Sequence, residues 1–241
     1  MKKFVSFFLF LLIFHFSATN VEAGLVTINK EGKVIVNVLS YSDKLSLEIS
    51  EKSELDISKV ANEPSEEGDT LSLYKEGERI SLKIIGEDEI KNLDITGWEN
   101  EIVEIEERED SSKLRILLVD GKFAIEQNGF VATTEYPIDV DAKNNNLSLI
   151  TPTGSVHLSI LPLGAAETLL KSKTLTTVTD ASLVEKEAGK LVYEISGERE
   201  INLFNIFKYS VPVSAQISVL TGEILFVDQP VWLKAISILL S

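Results

Sequence analysis

Near the C-terminal end, Val211-Pro212-Val213-Ser214-Ala215-Gln216-Ile217-Ser218-Val219 places an apolar residue at every odd position and Pro, Ser or Gln at every even one. Side chains of a strand point alternately to opposite faces, so this run predicts a strand with one buried face. Thr221-Gly222 then offers the positive φ of a tight turn into Glu223-Ile224-Leu225-Phe226-Val227. A strand of this kind needs sheet partners and a covering layer, and the preceding residues contain both. Residues 183–187, a turn at Ala188-Gly189, and Leu191-Val192-Tyr193-Glu194-Ile195 read as a hairpin. Residues 162–171 read as a helix, with Leu163, Ala166 and Leu170 on one face and Pro162 in the first turn. Lys171 and Lys173 suit its negative end. The expectation is a small α+β unit over residues 162–229, with one helix and about four strands. It has the look of a binding module, and none of its residues identifies a reaction.

The order of helix, hairpin ending in Tyr193-Glu194-Ile195, alternating strand and closing Thr221-Gly222-Glu223-Ile224-Leu225 resembles the PepSY domain. The resemblance covers residues 162–229. It departs from the family at Val219-Leu220, where an acidic residue is usual, and at Ile201-Asn202-Leu203-Phe204-Asn205-Ile206-Phe207, an apolar insert between strands. PepSY domains occur in propeptides of secreted metallopeptidases and in free-standing exported proteins. The resemblance implies peptidase inhibition or regulation by binding, with no catalytic residues to carry over.

The remainder of the chain also reads as β. Leu25-Val26-Thr27-Ile28, a turn at Asn29 to Gly32, and residues 33–39 form one hairpin, while Leu45-Ser46-Leu47-Glu48-Ile49 alternates strictly. Residues 62–69, with Pro64, Gly68 and several carboxylates, read as a loop open to proteolysis. Residues 70–74 and 80–84 flank a turn at Lys75 to Glu78. Short strands and polar turns over residues 24–110 suggest β-sandwich-like hairpins. Residues 98–110 are strongly acidic, and Ile102, Val103 and Ile105 read as an edge strand whose carboxylates block edge-to-edge pairing. A docking surface for a basic partner and a weak calcium site are the functional alternatives. Asp110-Ser111-Ser112 marks a boundary, and residues 111–161 follow as an antiparallel up-and-down meander with turns at Asp120-Gly121 and Asn128-Gly129. The expected fold is thus mostly β: N-terminal sandwich-like hairpins, a meander, the α+β unit, and a tail over residues 230–241.

Residues 1–23 have the form of a signal peptide. Lys2 and Lys3 precede an apolar core over residues 4–16, and Val21-Glu22-Ala23 places small residues before Gly24. A short uncleaved anchor is the alternative, against which the apolar core is shorter than the roughly 20 residues that span a bilayer. Export to the medium or the extracytoplasmic envelope is therefore expected. Loss of Lys2, Lys3 and Glu22 leaves 218 residues of net charge −16. Such a polyanion is repelled by nucleic acid and anionic lipid head groups, so nucleic acid is not an expected partner. Cysteine is absent, which leaves the fold to packing and sheet hydrogen bonds.

Candidate chemistry is sparse. Asp139, Asp141 and Asn144 to Asn146 are oxygen-rich but miss the calcium-loop spacing, and read as a polar turn. His157, the one histidine after residue 23, is expected on an outward strand face without partners for zinc or a catalytic triad. No cofactor is implied. The tail Val231-Trp232-Leu233-Lys234-Ala235-Ile236-Ser237-Ile238-Leu239-Leu240 is apolar yet too short to cross a bilayer. Either it docks on the core or it meets a partner or membrane surface. Leu203, Phe204 and Phe207 either cover it or extend the same adhesive surface, so Leu203, Phe204, Phe207, Trp232 and Leu233 are the candidate partner-binding residues. The functional expectation is a non-enzymatic binding or regulatory protein of the cell envelope, modulating a peptidase through the C-terminal unit. A structural or glycan-binding surface protein and a carboxylate hydrolase are the alternatives. The oligomeric state is not legible.

Overall fold

A computed structural model of the chain describes residues 24–37, 69–86, 90–98, 101–109, 112–203 and 207–233. The expected signal peptide, the strand at residues 45–49, the loop at residues 62–68 and the end of the tail lie outside them. Among the described residues the fold is mostly β, in two sheets.

The first sheet has ten strands. At one end it holds β1 (Val26–Ile28), β2 (Val34–Val36) and β6 (Glu101–Ile105), with β1 parallel to β6. Next come β7 (Leu114–Val119), β8 (Lys122–Gln127) and β9 (Phe130–Thr134). The two connecting turns are those expected: φ is positive at Asp120, Gly121, Asn128 and Gly129, which suits Asp-Gly and Asn-Gly loops. The remaining strands are β13 (Thr177–Lys186), β14 (Lys190–Leu203), β15 (Phe207–Ser218) and β16 (Ile224–Asp228). The second sheet has six strands: β3 (Thr70–Glu76), β4 (Arg79–Ile85) and β5 (Ile90–Asp94), with β10 (Ile138–Asp141), β11 (Asn146–Thr151) and β12 (Gly154–His157).

Three expectations change. The residues read as one meander switch sheets: β7 to β9 belong to the first and β10 to β12 to the second, the crossing being made over Glu135, Tyr136 and Pro137. The strand at Glu101 to Ile105 is no edge, because β1 flanks it on one side and β7 on the other. The boundaries expected near residues 110 and 161 also fall within continuous sheets. β6 and β7 are antiparallel neighbours across the first boundary, and β9 and β13 pair across the second through Ser182↔Thr133 and Leu183↔Thr134.

Helix α1 (Pro162–Lys171) forms over the expected residues and packs against β8, β9 and β14. Its buried face is Pro162, Ala165, Ala166 and Leu169, one step round from the expected Leu163, Ala166 and Leu170, and Leu170 is 41% exposed. The alanines let the helix approach the sheet, and Leu163 N donates to Gln127 Oε1 on β8. Tyr193 on β14 is fully buried and its hydroxyl donates to Ile160 O, at 2.7 Å, just before the helix. Burial pushes that phenol well above its ordinary range.

Alternation in β15 is as read: Val211, Val213, Ala215, Ile217 and Val219 are buried, and Pro212, Ser214, Gln216 and Ser218 are not. Residues from both sheets and the helix, among them Leu71, Leu82, Ile116, Ile125, Leu169 and Ile217, form one apolar cluster. Each fully buried aliphatic side chain of this kind contributes about 1.5–3 kcal/mol.

Candidate interaction surface

The expected insert at residues 201–207 includes the far end of the β14–β15 pairing, with residues 204–206 outside the described ones. β14 and β15 pair from Val192↔Ser218 out to Leu203↔Phe207. β13 stops accompanying β14 at Thr177↔Glu198, and β16 stops accompanying β15 at Ser214↔Asp228. Beyond those points the sheet narrows to a two-stranded ribbon. Pro212 sits where this narrowing begins, a place that tolerates the missing donor because β16 no longer needs it. An isolated two-stranded ribbon is marginal in water and gains from a partner on its apolar side.

Arg199, Ile201, Tyr209 and Val211 share one side of the ribbon through the pairs Arg199↔Val211 and Ile201↔Tyr209. The start of the tail turns back against this side. Trp232 packs edge-on to Tyr209, with ring centroids 6.2 Å apart and planes at 72°. Arg199 Nη1 donates to Gln229 Oε1 at 3.4 Å. Leu233 is 3% exposed and belongs to the core cluster, so among the candidate partner residues it is an anchor. Trp232 (42%), Tyr209 (60%) and Val231 (81%) remain exposed. Leu203 and Phe207 form the last pair of the ribbon, two rungs beyond Ile201↔Tyr209, while Phe204 lies outside the described residues. The structure thus brings the tail to the ribbon and adds Tyr209, which the sequence reading omitted. Its signal was present, since the odd-position alternation of β15 continues backwards through Tyr209 to Phe207.

Beside this patch β16 is the outermost strand of the ten-stranded sheet, with no described strand on its other edge. Leu225 and Phe226 are 49% and 52% exposed. The outward face next to it carries Asp180, Glu194, Glu198 and Asp228. Glu194 is held by Lys186 Nζ at 3.1 Å. Phe226 and these carboxylates make an edge suited to an extended segment of complementary charge.

Asp141 caps its own turn, accepting from Asn144 N at 3.0 Å and Asn144 Nδ2 at 2.8 Å. Burial pushes its carboxyl up, but these hydrogen bonds outweigh it and hold the group below the usual carboxylate range. Among the described residues no three His, Cys, Asp or Glu side chains are grouped to hold a metal ion. His157 is exposed on β12 opposite Ser148. The acidic strand β6 instead joins a charged row: Lys113 pairs with Glu104, and Arg115 pairs with Glu126 and lies 3.6 Å from Glu101. A polar depression of about 240 Å³ on the six-stranded sheet is lined by Tyr74, Glu76, Arg79, Ser81, Asn92 and Asp94, with Arg79 Nε 3.0 Å from Asp94. Hydrogen bonds from the Thr96 hydroxyl and amide hold the Asp94 carboxyl below its usual range. No protein family, curated protein or solved structure matches this chain.

Proposed function

We propose that the chain is an exported, non-enzymatic binding or regulatory protein of the cell envelope that engages a protein partner through its C-terminal unit. The PepSY-like order of elements makes an extracytoplasmic peptidase the class of partner. The observation that carries this reading is the exposed Tyr209–Trp232 pair, with Tyr209 midway along a ribbon that extends beyond the rest of the sheet. Rigid, half-exposed Tyr and Trp side chains are the residues most often dominant in protein interfaces. The neighbouring Leu233 is buried in the core and anchors the start of the tail, which lowers the cost of ordering Trp232 on binding. The test is isolation of partners on immobilised protein beginning at Gly24, followed by affinity measurement with the purified partner. The double variant Tyr209→Ala/Trp232→Ala should lose at least about tenfold in affinity, as removal of an interface aromatic ordinarily costs more than about 1 kcal/mol. Undiminished affinity in a variant of unchanged melting temperature would refute the assignment.

The depression around Tyr74 favours a second reading, a surface protein that holds a glycan. An aromatic face beside Arg79, Asn92 and Asp94 offers stacking and hydrogen bonding to a sugar. Titration with cell-wall polymer, compared between the native chain and Tyr74→Ala, separates it from the first.

A further inference from the structure

Glu101 opens β6 at the point where the chain enters β1. The two strands are parallel, Leu25 N donates to Glu101 O at 3.2 Å, and Trp98 Nε1 donates to the same oxygen at 3.1 Å. The Glu101 side chain is 13% exposed, and its two oxygens differ in their surroundings. Oε2 faces Arg115 Nη1 at 3.6 Å, whereas Oε1 is buried with no hydrogen-bond partner. A carbon added to Gly24 would lie 3.5 Å from Oε1. One bond length then puts the Gly24 Cα within about 5 Å of that oxygen. Gly24 is itself buried.

A buried carboxylate oxygen without a donor is costly. Burial, with Glu104 nearby, pushes the Glu101 carboxyl up to about 7, against which Arg115 and Lys113 act. Of the charged groups around it, Arg115 is shared with Glu126 on β8 and Lys113 is paired with Glu104. β1 contributes Val26, Thr27 and Ile28 and no charge. What the site lacks is a cation arriving from the side of Gly24.

We propose that removal of residues 1–23 supplies that cation: the new α-ammonium of Gly24 pairs with Glu101 Oε1, so that maturation completes the anchorage of the first strand. The inference rests on the export reading. A signal peptidase adds water across the Ala23–Gly24 peptide bond, leaving a carboxylate on the released leader and an ammonium on Gly24. An amide nitrogen there has one N–H and no charge. The ammonium has three N–H donors and a full positive charge, and its ordinary pKa of about 8 keeps it protonated at neutral pH. Retained leader therefore leaves Glu101 Oε1 without a donor, and cleavage supplies one.

Three purified chains test this: one beginning at Gly24, one beginning at Ala23, and the Gly24 chain carrying Glu101→Gln. The readouts are the rate of α-amine acylation at pH 7 and the thermal midpoint. The Gly24 amine should react about tenfold more slowly than the Ala23 amine, equivalent to one unit of pKa. The Gly24 chain should melt several degrees higher, and Glu101→Gln should erase both differences. Equal amine reactivity in the Gly24 and Ala23 chains would overturn the pairing, and that comparison stands even if Glu101→Gln fails to fold. Intact mass of exported protein reads the processing site separately. A mature chain starting elsewhere than Gly24 would overturn the proposal through the cleavage position while the pairing result stood on its own.

Discussion

Replacement of Ile217 by Ala probes the packing on which the C-terminal surface depends. Ile217 is fully buried, lies opposite Tyr193 on one side and Ile224 on the other, and belongs to the same apolar cluster as Leu169 of α1. Truncation removes its transfer free energy and leaves a cavity bounded by strands that cannot collapse into it, at a cost of about 2–5 kcal/mol. For a domain of this size each kcal/mol shifts the midpoint by about 2–4 °C, so melting should fall by roughly 5–20 °C. The neighbouring Gln216→Ala is the control. Gln216 is half-buried on the outward face, its contact to Glu194 Oε1 is 3.5 Å, and its loss should cost no more than about 0.5 kcal/mol. Calorimetry of the chain beginning at Gly24 measures both variants under one condition. Equal melting of the two would refute the assignment of strand faces and, with it, the support beneath Tyr209 and Trp232.

Three further outcomes follow from single contacts. Gly32→Val should destabilise by about 1–3 kcal/mol in chemical denaturation, because φ is +81° and a Cβ would stand 2.8 Å from Ala142 O. Tyr193→Phe should cost about 1–3 kcal/mol by the same assay, since the part-buried Ile160 carbonyl loses the hydroxyl that donates to it. In a chain extended before Gly24, the Glu101 carboxyl titrates near 7 when folded against 4.5 as its ordinary value, so the folded state binds the proton more tightly. Stability should then decline as pH rises between those two values, by at most about 3 kcal/mol, and Glu101→Gln should flatten that slope in urea titrations across the range.

Local chemistry was readable and pairing was not. Asp120-Gly121, Asn128-Gly129 and Thr221-Gly222 announce their turns because few residues accept positive φ, and Pro162 announces the start of α1. The face of α1 was less accessible. Pro162, Leu163, Ala165, Ala166, Leu169 and Leu170 make two adjoining apolar stripes, and only the sheet selects the one bearing the small alanines. The parallel pairs of β1 with β6 and β9 with β13 join segments far apart in sequence, and periodicity carries no record of such partners. For the same reason β6 read as an edge. The ribbon surface was half visible: Trp232 stood out as an aromatic in an apolar tail, but its neighbour Tyr209 emerges only once β15 is extended past Val211.

The central claim, that the ribbon and tail form a partner-binding surface, is tested most directly by photo-cross-linking in the producing cells. A cross-linkable residue in place of Tyr209, half-way along the exposed aromatic patch, is compared with one in place of His157 on the outer face of β12. The account predicts a discrete adduct with one protein from position 209, absent from position 157 and lost when Trp232→Ala is added. Adducts of equal pattern and yield from both positions, or none from position 209, would contradict it.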